Sequence, residues 1–242
     1  QEKDQNDLSI DKVVSIVSHD PIFAGRVMGL ASKAIYGKTP RDLQEAISRN
    51  LGINTVVNLA VIYAVKDALQ DHIDQALIEQ YTDAFLLAPK FFQLVRKSAG
   101  VDVKFDIAFT EQVLVFGLLG MFLLSHKGAN KYQFLLHSLK GVGDLHSLNR
   151  HLNESMNTSI FSASSLMLSL WHIDASIVKQ LSHLEKVSQL KAKGTKQDEI
   201  SLFMLSCLYL LATGQKEFTE VEQKAEVLHI DDFNDIKKAL FT

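Results

Sequence analysis

Residues that cross-link a chain or interrupt helices are scarce in this sequence. Its 242 residues include one cysteine, three prolines and 12 glycines. A single cysteine permits no intramolecular disulfide, which excludes the cross-linked scaffolds of small secreted proteins and favours a reducing, cytoplasmic compartment. Proline lacks the amide hydrogen that a helix needs, and glycine lowers helix stability. The scarcity of both therefore predicts a mostly helical protein, and the chain is long enough to bury a large core.

The sequence also lacks an excess of charge of either sign. It carries 25 basic and 28 acidic side chains, a net charge of −3. Residues 1–100 hold 11 of the basic and 12 of the acidic side chains, which leaves 14 and 16 for the rest. Because no half of the chain is basic, the charge distribution does not favour binding to a phosphate backbone. We therefore expect no nucleic-acid partner.

Long hydrophobic runs are missing as well. The longest, residues 113–124, has 12 residues, whereas a membrane-spanning helix needs about 20. The first seven residues are polar and begin without methionine, and they show no apolar segment of a secretion signal. The sequence thus predicts a soluble protein with no membrane partner.

Helix start and stop signals are frequent in residues 8–100. A capping residue precedes each of four apolar stripes with helical spacing, at Ser9, Asp20-Pro21, Thr39-Pro40 and Asn54. The stripe that starts near Ile73 is expected to bend or end at Pro89 and to continue to Gly100. No stretch has the pattern of a strand, so we predict five or six short helices here.

Residues 101–242 show the same helical pattern. A polar joint at 101–106 precedes a strongly apolar helix at about 106–125, followed by a glycine-dotted stretch to residue 151. Further helices are predicted at about 156–171, 174–183 and 198–213, with a last one over 217–241 that breaks near His229. The lysine-rich segment 186–196 has the composition of a linker.

Several strings, in this order and spacing, resemble the HDOD family, the "HD-related output domains" of bacterial signalling proteins. The matching strings are Asp20-Pro21, residues 30–37, residues 43–52, residues 116–119 and residues 168–173. The sequence departs from the family pattern at Ser32-Lys33, where the family has Asn-Ser, and at Asp174, where it has proline. The resemblance covers roughly residues 8–185 and implies an all-α, HD-like multi-helix bundle with an N-terminal helical HDOD subdomain.

The same resemblance implies that the metal site of the catalytic HD relatives is missing. In those phosphohydrolases a His-Asp pair follows the helix that matches 116–119, whereas here Gly120 and Met121 follow it. Glycine has no side chain, and a thioether is a poor ligand for hard hydrolytic metals. Ile160 stands where a further histidine is expected, no histidine lies near residues 81–83, and of the late histidine pair at most His183 remains. We therefore predict no catalytic residues, no metal and no cofactor.

Other candidate sites have simpler explanations. The doublet His19-Asp20 precedes Pro21 at a helix start, where Asp20 is expected to serve as a cap. Cys207 lies in an apolar stretch and is expected in the core. Six histidines occur at positions 126, 137, 146, 151, 172 and 183. An alternative enzyme hypothesis uses displaced metal ligands from the set His137, His146, His151, Glu154 and His183.

The resemblance implies a non-catalytic signalling module that acts through contacts with a protein partner, which can be a second copy of itself. A small-ligand sensor is a further alternative, with a pocket in the vestigial metal cleft lined by Gly120, Met121, Ile160, Trp171 and His183. We expect one HDOD-like domain over 8–185, divided at Gly100 into an N-terminal half (8–100) and an HD-like half (101–185). Helices in 186–242 are expected to pack on this domain or extend it.

Overall fold

The computed structural model describes residues 9–99, 105–128, 131–215 and 218–241. It is 76% helical, and no strand occurs in these ranges, which confirms the predicted all-α fold. The chain divides into two compact units, Gln1–Ala64 and Val65–Thr242. The predicted division at Gly100 lies outside the described residues, as does most of the predicted joint at 101–106, and it stays a prediction.

The first unit is built from short helices. They are α1 (Ile10–Ser18), α2 (Pro21–Ala31), a 3₁₀ turn (Ala34–Tyr36), α3 (Leu43–Glu45), a π-helical turn (Ala46–Leu51) and the start of α4 (Ile53–Leu69). Two of the predicted caps are confirmed. Ser9 accepts a hydrogen bond from the amide of Lys12, and Asp20 accepts from the amides of Ile22 and Phe23. The Asp20 of the His19-Asp20 doublet therefore caps the start of α2.

The other two predicted caps are wrong. Helix α3 begins at Leu43, where the side chain of Asp42 accepts from the Glu45 amide. Thr39-Pro40 therefore precedes the helix rather than starting it. Asn54 lies inside α4, which begins at Ile53, immediately after Gly52 ends the π-helical turn with φ = 81°. At these two helix starts, the capping residue type thus identified the neighbourhood but not the residue that precedes the helix.

Ten further helices follow in the described ranges of the second unit. They are α5 (Gln75–Ser98), α6 (Ile107–Gly117), α7 (Gly120–Leu124), α8 (Tyr132–Gly141), α9 (Leu145–Met156), α10 (Ile160–Leu170), α11 (Ala175–Ser188), α12 (Lys196–Thr213), α13 (Thr219–Val227) and α14 (Phe233–Phe241). The break predicted near His229 is confirmed by the gap between α13 and α14.

Helix α5 does not end at Pro89, although the sequence allowed either a bend or an end there. Proline removes one intrahelical hydrogen bond, yet α5 is helical from Gln75 to Ser98. Phe85 and Phe92 on either side of the proline are fully buried. Burial of large aromatic side chains contributes about 1.5–3 kcal/mol each, which offsets the lost bond.

The core of the second unit lies where α12 packs along α5. Both helices contribute fully buried aromatic side chains to it, among them Phe85, Phe91, Phe203 and Tyr209. The Tyr209 hydroxyl donates to the backbone carbonyl of Leu139, 2.9 Å away. Cys207 is buried, as predicted, and burial raises the pKa of its thiol.

The stretch Ile107–Leu124 is long and apolar enough to cross a membrane by length and composition, and 72% of it is buried inside the protein. Buried core helices of soluble proteins have the same composition. The structure interrupts this stretch with a break between α6 and α7.

Candidate functional site

The break between α6 and α7 directly precedes Gly120 and Met121, the two residues that the family resemblance aligns with the His-Asp pair of the catalytic HD relatives. The backbone turns there through tight i+3 hydrogen bonds, from Leu119 to Phe116 and from Met121 to Leu118. The sequence predicts one unbroken helix over 106–125, so this part of the prediction is wrong. A break in a buried helix leaves backbone groups without intrahelical partners, and the structure must satisfy them in another way.

Ser164 of α10 satisfies two of these groups. Its hydroxyl donates to the carbonyl of Gly117 and accepts from the amide of Gly120, both at 2.8 Å. Ser164 is fully buried, so no water is needed at either group. One side chain thus joins both ends of the break to α10.

Gly120 allows this close approach because it has no side chain. A Cβ atom at this position would lie 2.8 Å from both the Ala163 Cβ and the Ser164 backbone nitrogen, and it would also contact the carbonyl oxygen of Ile160. Backbone atoms cannot move aside as the end of a flexible side chain can. The space that a side chain at Gly120 would need is therefore occupied by α10 itself.

The structure brings together only part of the predicted ligand pocket. Gly120 contacts the backbone of Ile160, and Met121 and Ile160 are fully buried. Trp171 lies at the C-terminal end of α10 and is 41% exposed. His183 is on α11, and its ring forms a hydrogen bond with the side chain of Asp198. Whether these five residues bind a ligand stays a prediction.

His183 belongs to a polar cluster at the start of α12 that the sequence analysis did not identify. The Asp198 carboxylate accepts from the amide and the hydroxyl of Thr195, both at 2.8 Å, and from the Gln180 side chain at 2.9 Å. The His183 Nε2 lies 3.2 Å from the same carboxylate. Burial raises the pKa of Asp198, but the hydrogen bonds from Thr195, Gln180 and His183 outweigh this effect and lower it. The spacing Thr195-x-x-Asp198 is a capping box, a signal that the sequence does contain.

Three further histidines make contacts with aromatic rings. His151 packs against Phe134, with ring centroids 5.4 Å apart, and His126 stacks on His72. Across the described ranges, no three His, Cys, Asp or Glu side chains are placed to share a metal ion. Among the described residues, the structure therefore does not place three members of the displaced ligand set at one metal site. That set is His137, His146, His151, Glu154 and His183.

Glu111 is an acidic residue in the core of the second unit that sequence analysis did not single out as buried. It lies on α6 and is 5% exposed. Burial raises the pKa of its carboxyl group to about 7, and the positive charge of Arg96 opposes this effect only in part. Near neutral pH both the protonated and the ionised form of this carboxyl group are therefore populated.

Comparisons with known proteins agree with this architecture. A family model described as "HDOD domain" matches residues 1–187. No curated protein matches the chain. A crystal structure of a "Putative signal transduction protein" from Marinobacter aquaeolei VT8 has the same fold, with a TM-score of 0.60 at 17% identity.

That alignment covers 99% of this chain and 55% of the Marinobacter chain, so the present chain spans about half the length of that protein. The family model matches more than three quarters of the chain, and the helical architecture agrees with it. This chain belongs to the HDOD family.

Proposed function

We propose that this protein is a non-catalytic regulatory module of a bacterial signalling pathway that acts through contacts with a protein partner. Membership of the HDOD family supports a signalling role, as does the structural likeness to a Marinobacter protein described as a signal transduction protein. A fold alone does not define a function. The proposal therefore depends on what the site positions contain.

The packing at Gly120 is the observation that carries this proposal. In the place of the HD pair, the chain has a residue without a side chain, with the backbone of α10 directly against it. A metal-binding histidine at this position would collide with Ile160, Ala163 and Ser164. The fold is kept while the position for a hydrolytic metal ligand is filled, which is the arrangement expected of a scaffold used for binding.

The outer face of α10 offers a contact surface that the neighbouring helices leave exposed. Leu166 and Leu170 are 53% and 68% exposed, and Trp171 follows at the helix end. Leu166 and Leu170 are four residues apart and share one face. Clustered exposed apolar side chains are typical of protein interaction sites, in which tryptophan is enriched.

The proposed setting is the bacterial cytoplasm, in agreement with the single cysteine and with the family's role in bacterial signalling. The partner is a protein of the same pathway or a second copy of this chain. A small ligand at the cleft would act as a regulator of this contact.

Site-specific photo-crosslinking in cells tests the proposal. A photoreactive amino acid at Leu170 is expected to give discrete cross-linked products of one or a few proteins. The same amino acid at Glu220, an exposed position on α13, serves as the control and is expected to give none of these products.

Identical products at both positions, or none at Leu170, would contradict a contact on α10.

A second measurement addresses catalysis. Purified protein supplied with Mn²⁺, Fe²⁺, Zn²⁺ or Mg²⁺ is expected to hydrolyse neither phosphomonoesters nor cyclic dinucleotides, and metal-dependent turnover that co-purifies with the chain would refute the non-catalytic part.

A further inference from the structure

A leucine at the end of α11 has two energetically unfavourable features. Leu190 has a left-handed backbone (φ = 58°) and is 92% exposed. Of the five non-glycine residues with positive φ in the described ranges, it is the only apolar one. The left-handed conformation costs a residue with a Cβ roughly 1–2 kcal/mol, and an exposed leucine gains nothing from burial in the monomer.

The backbone explains why a left-handed residue is needed there, but not why it is leucine. The amide of Lys191 donates to the carbonyl of Lys186 at 2.8 Å, and the amide of Leu190 donates to that of Val187 at 3.0 Å. This pair of bonds is a Schellman motif, in which glycine or asparagine is the usual left-handed residue. Helix α9 has Asn157 at its equivalent position. Strained, exposed residues of this kind concentrate at functional sites.

Leu190 stands between two concave surfaces of the second unit. One cavity, of about 490 Å³, is lined by one face of α9, including His146, Arg150 and Glu154, and by the end of α11. The other, of about 440 Å³, lies toward α12 and α13 and includes Val227, which is 76% exposed. Both cavities are lined by His146, Ser188 and Leu190. They form one groove, which we call the Leu190 groove.

The charge around this groove is basic although the chain is acidic overall. Residues 186–196 contain four lysines and no acidic residue, and all four lysines are exposed: Lys186, Lys191, Lys193 and Lys196. None of them forms an ion pair with another described residue. Arg150, Lys191 and Lys224 line the groove itself, where Glu154 and Glu199 are the acidic members. The groove therefore combines exposed apolar anchors with an unpaired basic rim.

We propose that the Leu190 groove binds an acidic, amphipathic segment of a partner protein, which covers Leu190 and Val227 with apolar side chains and pairs its carboxylates with the lysines of 186–196. When such a segment binds, it buries the exposed side chain of Leu190 and forms ion pairs with the lysines of 186–196. This inference shares with the proposed function only the premise of a protein partner. It concerns a different surface from the outer face of α10.

Fluorescence anisotropy with a designed probe tests the inference on the full chain. The probe is a labelled helical peptide of about 18 residues with leucines along one face and glutamates elsewhere. It is expected to bind, and raising the salt from about 50 to about 200 mM is expected to weaken the affinity because the lysine contacts are screened. A matched peptide with lysine in place of glutamate is expected not to bind.

Two substitutions locate the binding site. Leu190→Gly keeps the left-handed backbone and removes the anchor, so it is expected to weaken binding at least about tenfold without lowering the melting temperature. Lys191→Glu combined with Lys193→Glu is expected to have a similar effect. Lys12→Glu on α1, an exposed charge reversal in the first unit, is the control and is expected to leave the affinity within about twofold.

Each other outcome overturns the inference. If the acidic peptide does not bind, or if Leu190→Gly leaves its affinity unchanged, the Leu190 groove is not the binding site. Equal binding of the lysine peptide removes the charge argument, and tighter binding of a single-stranded oligonucleotide assigns the lysines to nucleic acid. A dimer that Leu190→Gly dissociates assigns the groove to a second copy. Leu166→Asp with Leu170→Asp is expected to leave peptide binding unchanged, so failure of the α10 contact and failure of this inference remain distinguishable.

Discussion

At the scale of single residues, Gly120 has a structural role because α10 packs directly against it. Gly120→Ala is expected to lower the free energy of unfolding by about 1–3 kcal/mol, because the added Cβ meets Ala163 and the backbone of Ser164 and forces the packed helices apart. Chemical denaturation measures this change as a lower midpoint at constant slope.

Gly143→Ala provides the matched control for that substitution. A Cβ at Gly143 meets nothing within 4 Å, and its backbone has no positive φ. This variant is expected to stay within about 0.5 kcal/mol of the parent protein. A loss at Gly143 as large as that at Gly120 would show that the close contact with α10 is not the cause.

At the scale of elements, the sequence predicts most helices but not the break that defines the candidate site. The run 113–124 is predicted to be buried because ten of its 12 positions are hydrophobic. A run of this kind has no apolar periodicity that shows where a helix stops. The break depends on Ser164, which lies 44 residues further along the chain from Gly120. A contact between such distant positions is not contained in any local pattern. By contrast, the caps at Ser9 and Asp20 are local, and they were predicted correctly.

Ser164→Ala tests whether that serine holds the break together. The substitution leaves the Gly117 carbonyl and the Gly120 amide without their partner in a buried position. Each unsatisfied buried group costs about 1–3 kcal/mol, so we expect destabilisation of at least about 2 kcal/mol. Ser162→Ala on the same helix removes only an exposed bond to Glu185 and is expected to change stability by less than about 0.5 kcal/mol. Similar losses for the two variants would contradict the bridging role.

At the scale of the whole molecule, the all-α class and the family followed from composition and ordered motifs, because both are distributed along the entire chain. The proposed interaction surfaces did not follow in the same way. Segment 186–196 has the composition of a linker in sequence, but the structure ends α11 within it and leaves Leu190 exposed beside two cavities. Exposure depends on which faces neighbouring helices cover, and a single apolar residue among lysines carries no such information.

The pH dependence of stability is a property of the whole molecule. Glu111 contributes to it in the direction opposite to that of most carboxyl groups, because folding raises its pKa. The folded state raises the pKa of this carboxyl group from 4.5 to about 7, so between these values the folded protein binds more protons than the unfolded chain. The free energy of unfolding therefore falls as the pH rises from about 4.5 to about 7. The pKa change corresponds to an upper bound of about 3.4 kcal/mol.

Asp198 acts in the opposite direction at lower pH. Although burial opposes the effect, its hydrogen bonds lower its pKa in the folded state, so its stabilising contribution is lost as the pH falls through the acidic range. The sum of these two contributions to the free energy of unfolding is largest on the acidic side of neutrality. Glu111→Gln removes the titrating group while keeping its size. Denaturation series at several pH values are expected to show a flatter profile for this variant between about pH 4.5 and about pH 7. An unchanged slope in that range would mean that Glu111 is ionised in the folded protein, and that Arg96 compensates its burial completely.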